Sequence, residues 1–479
     1  MPRGHKHKEW RANKKKYHRN SKKSFNAFLI LGLFFASALF TLKDNLRLIY
    51  NKLHDNDHFI SNIVNNNFIR KILEATDDED NAPIAVGSVK AFRNISFTNI
   101  DNYAATIQYK GNSVAELASL LSHSAKTEAE KARIIYSWIA YNITYDLPTY
   151  LSDNYGDSSP QKVLITRKGV CSGYANLYKA LARAMGLEAI IIDGYAKGYG
   201  YVISNNTQIN HAWNAVKINN RWYLLDPTWG AGNIKGGEFN RQFNPYYFAT
   251  PPEQFIFDHF PVENKWQLLA KHHTREQFNT TPEISPEFFK DGLHLVSHLD
   301  RTIRAHGRFQ VILSAPKDTI AVSRLKVDTN YLNASYTFVQ KKGNKIVVTA
   351  APPVGNSKLE IFSKNKHALG AYQQSLTYNV ISDSIGDKFP KTYSTFLEKN
   401  SYLYAPLAKY LSVGRLIYFK IEVPTALEVQ VINSSSNKWI KLTRTGTTFS
   451  GYVPVSPDKI QVSAKFPGDR NYWDLVEYN

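Results

Sequence analysis

Cysteine is nearly absent from this chain. Cys171 is the only one in 479 residues, so no intrachain disulfide staples the fold. A zinc site built on paired cysteines is excluded for the same reason. No His-Glu-x-x-His run occurs among the 14 histidines, which disfavours zinc hydrolysis, and no metal or other cofactor is expected. The net charge is +19, yet no cluster of arginines and aromatics accompanies it, which argues against a nucleic-acid partner. The charge is also uneven. Residues 1–23 carry ten Lys/Arg against one acid, and the rest of the chain is mildly basic. What is plentiful is apolar side chain: 43% hydrophobic and 13% aromatic, enough for real cores in two to four domains.

The basic head abuts Ser24–Leu42, "SFNAFLILGLFFASALFTL", which has no charged residue. As a helix these residues would span about 28 Å, the thickness of a bilayer core. Two readings stand: a retained single transmembrane anchor, or a signal peptide cut after Ala36–Ala38 with the body secreted. The anchor is preferred, because the basic region is long for a signal peptide and the apolar run is at the upper end. In either case the head stays cytoplasmic and the body is exported. Residues 43–103 carry no motif and read as a stalk or linker.

The next region mixes helix and strand. Ser113-x-x-Glu and Thr127-x-x-Glu are capping-box starts. The second helix is expected to bury Ile134, Ile135, Trp138 and Ile139. Ser159 with Pro160 opens a third. Then "GVCSGYANLYKALARAMG", Gly169–Gly186, places Tyr174, Leu177, Tyr178, Leu181 and Met185 on one helical face. Cys171 lies in the first turn of that helix, where free N–H groups and the dipole favour a thiolate. A buried structural cysteine is the competing reading.

"NHAWNAVKINNRWYLLDPTW", Asn210–Trp229, reads as two alternating strands around a two-residue turn at Asn219-Asn220. In that register His211 and Asp226 share a face as diagonal neighbours. The expected arrangement has Nδ1–H of His211 donating to Asp226, with Nε2 left to take a thiol proton. "GYAKGYGY" from Gly194 either lines a substrate groove or serves as a mobile connection.

"GVCSGYANLYKALARAMGLEA", "NHAWNAV" and "RWYLLDPTWG", with "WIAYNITYD" upstream, resemble the core of the transglutaminase-like superfamily. "FDHFPVENKWQLL", Phe257–Leu269, and the β-rich region after it are similar to its kyphoscoliosis-peptidase-type branch. The resemblance spans about Tyr103 to the C-terminus. It implies cysteine chemistry by Cys171, His211 and Asp226 without a metal. The Cys171 backbone N–H is the natural oxyanion donor, with Gln161 or Trp138 as a second. Tyr174, Tyr195, Trp213 and Trp229 are the aromatics expected at the substrate. Cysteine to histidine is 40 residues and histidine to aspartate 15, unlike true papains, whose histidine lies much farther downstream.

From about residue 276 short strands recur at sandwich spacing. The expected fold is α+β: a papain-like transglutaminase core over 104–275, then β-sandwich modules over 276–381 and 382–479, behind a tail (1–23) and a transmembrane segment (24–42). The expected function is a membrane-anchored cysteine enzyme acting on amide bonds of protein or peptide through a thioester. Hydrolysis is favoured over amine transfer, since water is abundant and no calcium motif or amine pocket is visible. The alternative is a non-catalytic adhesion or scaffold protein whose core and β modules bind a protein partner.

Overall fold

The computed structural model describes residues 84–478, apart from 89–91, 93–94, 154–155, 200, 202–207 and 434–437. The basic tail, the expected membrane segment and the stalk up to residue 83 lie outside the described residues. Among the described residues no helix is long and apolar enough to cross a membrane.

Ile84, Val86, Phe92, Phe97, Ile100 and Tyr103, in the stretch expected as the end of a stalk, pack in or against the core. Val86 bridges to Trp222, with Gly87 N–H donating to the Trp222 carbonyl at 2.9 Å. Helix α1 (Thr98–Thr106) then presents Asp101 to the next long helix. That helix, α2 (Glu128–Asn142), starts in a full capping box. Thr127 accepts from Glu130 N–H, and the Glu130 carboxylate accepts in return. At Ser113 only half of the box forms. Ser113 caps the helix, but the Glu116 carboxylate takes the Tyr109 hydroxyl instead. Ile134, Ile135, Trp138 and Ile139 are all fully buried, as the apolar spacing predicts.

Arg133 of α2 is also buried, and Asp101 grips it through two hydrogen bonds of 2.8 Å. Phe97, Tyr136, Phe243 and Phe248 ring its guanidinium. The clamp fixes α2 beneath the site. One turn along, the Tyr136 hydroxyl donates to the Asn244 carbonyl at 2.6 Å. That hydroxyl lies against Gly230, where a Cβ would sit 2.2 Å from it.

Helix α3 (Pro160–Thr166) is capped by Ser159, as the Ser-Pro start predicts, and packs on α4 (Cys171–Ala184). A five-stranded antiparallel sheet lies against α4. Its strands are β1 (Ala189–Ala196), β2 (His211–Ile218), β3 (Arg221–Leu225), β4 (Phe248–Thr250) and β5 (His259–Pro261). Their spatial order is β4-β3-β2-β1-β5. The hairpin β2–β3 has the predicted register: Ile218 pairs with Arg221 and Asn214 with Leu225. Asn219 and Asn220 have φ of 50° and 60°, the left-handed pair that a tight hairpin turn requires. Beyond β3 the chain turns into a short helix, α5 (Pro227–Ala231).

Two β-sandwiches follow. The first pairs a sheet containing Thr319–Val327, Gly355–Asn365 and Gln373–Ser382 with one containing Phe309–Ser314, Thr337–Lys342 and Lys345–Ala350. The second is built likewise from Glu428–Asn433, Ile460–Lys465 and Trp473–Tyr478 against Leu416–Glu422 and Thr448–Pro454. Alternate residues of these strands fill two separate cores, the two-residue period predicted for them. Residues just past 275 still pack on the sheet. Phe278 on the next short helix is fully buried against Phe260, 5.4 Å between rings. The two sandwiches are pinned to each other by the Gln340 side chain. It accepts from Leu403 N–H at 2.6 Å and donates to the Leu403 carbonyl at 3.2 Å.

Candidate active site

Cys171 is the first residue of α4. The residue before it, Val170, is extended and supplies no side-chain cap, so the first N–H groups of the helix are left for another acceptor. The cysteine is half-buried. His211 opens β2 and Asp226 closes the β3 side of the hairpin. The hairpin register therefore brings them together, at 2.7 Å between His211 Nε2 and Asp226 Oδ2. Cys171 acts on the same imidazole, raising its affinity for the proton.

The ring nitrogens are the reverse of the sequence-based expectation. Nε2, not Nδ1, donates to the carboxylate, which leaves Nδ1 for the thiol. The reason is reach. Diagonal partners on adjacent strands stand roughly 7–8 Å apart at the backbone. The outer nitrogen spans that distance and the inner one does not.

Asp226 is fully buried and makes four contacts. Oδ1 accepts from the N–H groups of Thr228 and Trp229, at 2.7 and 3.1 Å, as the cap of α5. Oδ2 accepts from His211 and from a second histidine, His259 Nε2, at 3.0 Å. Burial pushes the Asp226 carboxyl up, but the charges and hydrogen bonds of the two histidines outweigh it and hold the carboxyl well below its usual range. Burial likewise favours neutral His211. Asp226 and the Cys171 sulfur overcome that and push the imidazole up to about 10. Both effects favour the imidazolium form of His211.

His259 was not singled out from the sequence. It lies on β5, across β1 from β2. Ala196 pairs with His259 while Gly194 pairs with His211, which puts both rings on one face. Gly194 makes this possible: a Cβ there would meet the Phe260 carbonyl at 2.3 Å and the Trp213 ring at 2.4 Å. The only local signal was an Asp-His pair inside the apolar "FDHFP". The pairing that gives it meaning spans 33 residues.

The remaining candidates separate. Trp138 is removed as an oxyanion donor, since its Nε1–H is taken by the Ile107 carbonyl at 3.1 Å in the core. Gln161 is exposed on the first turn of α3. Tyr174 is core as well: it is fully buried and its hydroxyl donates to the Ile143 carbonyl at 2.7 Å. Tyr195 lies with Phe260 and under Arg275, whose guanidinium is 3.2 Å from the ring centre. Trp213 is buried beneath His211, 6.0 Å between rings. Only Trp229 both touches His211, at 5.6 Å, and keeps exposed surface. It also lines a cavity of about 250 Å³ at the junction with the first sandwich, between Lys197 and Asp258 on the core side and Glu283 and Gln374 opposite.

His211, Asp226 and His259 bring three potential ligand atoms within 4.8 Å. The 2.7 and 3.0 Å separations around one carboxylate oxygen are those of proton-bridged pairs.

Residues 115–227, which include Cys171, His211 and Asp226, match the model of the transglutaminase-like superfamily. The core is a transglutaminase-like domain. Residues 275–393 match the KY-like, immunoglobulin-like domain. The chain is 32% identical to human kyphoscoliosis peptidase over 291 residues, 59% of this chain and 43% of that protein. It is 28% identical to hillarin of Drosophila melanogaster over 230 residues, 44% of this chain and 28% of that one. The chain thus spans less than half the length of these relatives. The transglutaminase-like core and the kyphoscoliosis-peptidase-type branch named from the sequence motifs are both found.

Proposed function

We propose that this transglutaminase-like domain is a thiol acyl enzyme acting on amide bonds of protein or peptide. The observation that carries the reading is the His211–Asp226 contact at 2.7 Å, with Cys171 acting on the same imidazole from the first turn of a helix that lacks a side-chain cap. The Cys171 thiolate attacks the carbonyl carbon, and the new C–S bond pushes charge onto the oxygen. The free N–H groups at the start of α4 receive that oxyanion, with Gln161 as candidate second donor. His211 then gives its Nδ1 proton to the departing nitrogen as the C–N bond breaks, leaving a thioester. A water molecule loses a proton to His211, attacks the thioester and releases acid and thiolate. Trp229, half-exposed beside His211, is the aromatic best placed to hold the acyl chain.

Hydrolysis is the favoured fate of the thioester. We extend the proposal to an exported body anchored by Ser24–Leu42, on the ten-to-one charge bias beside that segment. The β modules are proposed to engage a protein partner.

The test offers acyl-donor peptides in ¹⁸O-water with a labelled primary amine present. The expected product carries ¹⁸O, and its formation depends on Cys171. A dominant amine conjugate would make the domain a transferase. No product of either kind across a broad peptide panel would favour the scaffold reading.

A further inference from the structure

His259 has a geometry that a neutral histidine between two ionised carboxylates cannot satisfy. Its Nε2 faces Asp226 Oδ2 at 3.0 Å and its Nδ1 faces Asp258 Oδ1 at 2.6 Å. An ionised carboxylate only accepts, while a neutral imidazole has a single N–H. With both carboxylates ionised, the two contacts exist together only if both nitrogens carry protons. The ring is fully enclosed, stacked on Phe255 at 4.0 Å and flanked by Trp229 at 4.4 Å and Trp213 at 5.1 Å.

We infer that His259 is a permanent imidazolium which keeps Asp226 ionised and in place, and through Asp226 positions His211. His259 lies beyond the segment matched as transglutaminase-like, and its two ring nitrogens face Asp226 and Asp258. It is a positioning residue. The physical need is charge balance. Two carboxylates face this one ring, Asp226 fully buried and Asp258 13% exposed at the junction cavity, and a cation between them offsets their repulsion. The same cation, 5.4 Å from the His211 ring, offsets the pull of Asp226 on the imidazolium.

Other titratable groups face this cluster. The Tyr247 hydroxyl donates to Asp258 Oδ2 at 3.3 Å. Lys197 acts on Asp258 from the junction cavity, its ammonium pushed down to about 7 by burial. Tyr136 and Tyr174 lie within electrostatic range of Asp226, and Cys171 adjoins His211. Burial and the two carboxylates oppose each other at His259, and the carboxylates prevail: its affinity for the proton is raised.

The inference rests on the thiol reading of the site, and its test uses the reactivity of Cys171 rather than turnover. Iodoacetamide inactivation of the full chain is followed against pH. Cysteine is unique, so every alkylation is Cys171. In His259→Gln both limbs of the profile are expected to move to higher pH, by on the order of one unit. Loss of a nearby cation makes the thiolate harder and the His211 imidazolium easier to form. The double variant His259→Gln with Asp258→Asn restores the local charge and is expected to move the limbs back. Lys197→Met, run in parallel, identifies any inflection due to that lysine.

A packing role alone predicts a lower rate with limbs unmoved and no recovery in the double variant; either outcome overturns the inference. If His259→Gln does not fold, ¹⁵N-histidine NMR of the wild type decides. His259, assigned by its response to Asp258→Asn, is expected to show two ring N–H protons at pH 8. One bare nitrogen there refutes the imidazolium. Absence of turnover with an intact shift in the profile would instead count against the enzyme reading and leave this inference standing.

Discussion

Asp226→Asn is expected to leave the fold intact and lower turnover by roughly 10²–10⁴. The carboxylate takes four N–H donors: two from backbone at Oδ1 and two from imidazoles at Oδ2. An amide has one oxygen. If that oxygen keeps the helix cap, the NH₂ group confronts two N–H groups of the histidines. His211 then sheds its Nε2 proton and holds the remaining one at Nδ1, where it blocks transfer from the thiol. If the amide flips, the catalytic contact survives but the cap of α5 is lost, at about 0.5–2 kcal/mol. Steady-state rates and a melting curve on the same preparation separate the two. Wild-type turnover in a folded variant would remove Asp226 from the mechanism.

Asp101→Ala carries the largest expected effect on stability. It strands the Arg133 guanidinium, which is 95% buried, and deprives Ser137 Oγ of its 2.5 Å partner. Removing one member of a buried ion pair costs about 3–5 kcal/mol. Five of the eight tryptophans, residues 138, 213, 222, 229 and 266, lie in the core, so tryptophan fluorescence in urea reports its unfolding. The double variant Asp101→Ala with Arg133→Met should regain most of the loss, since no charge is then left behind. A single-variant cost below about 1 kcal/mol, the range of an exposed pair, would show that water reaches the guanidinium.

What was legible in the sequence was local. Thr127 with Glu130, Ser159 with Pro160, and the Asn219-Asn220 turn each fix geometry within a few residues. The hairpin turn reached furthest, because its register determines which side chains share a face. That alone brought His211 to Asp226. Non-local features stayed hidden. Asp101 meets Arg133 across 32 residues, so residues 84–103 read as spacer rather than core. His259 reaches Asp226 through a three-residue strand on the far side of β1, too short to show a period. Tyr174 failed as a substrate contact for a reason already in the helical pattern. A tyrosine on the apolar stripe of a helix faces the core, and its hydroxyl finds a backbone carbonyl there. Burial of Trp138 follows the same rule. Which nitrogen of His211 faces Asp226 depends on ångström-scale strand spacing, which no residue pattern encodes.

The central claim is that Cys171 is a nucleophile activated by His211. Its most direct test is mass spectrometry of the folded protein after exposure to an electrophilic peptide at neutral pH. The account predicts one adduct, on Cys171, absent from Cys171→Ala and formed roughly a hundredfold or more slowly in His211→Ala. Labelling that requires denaturation, or that proceeds equally fast in His211→Ala, would contradict it.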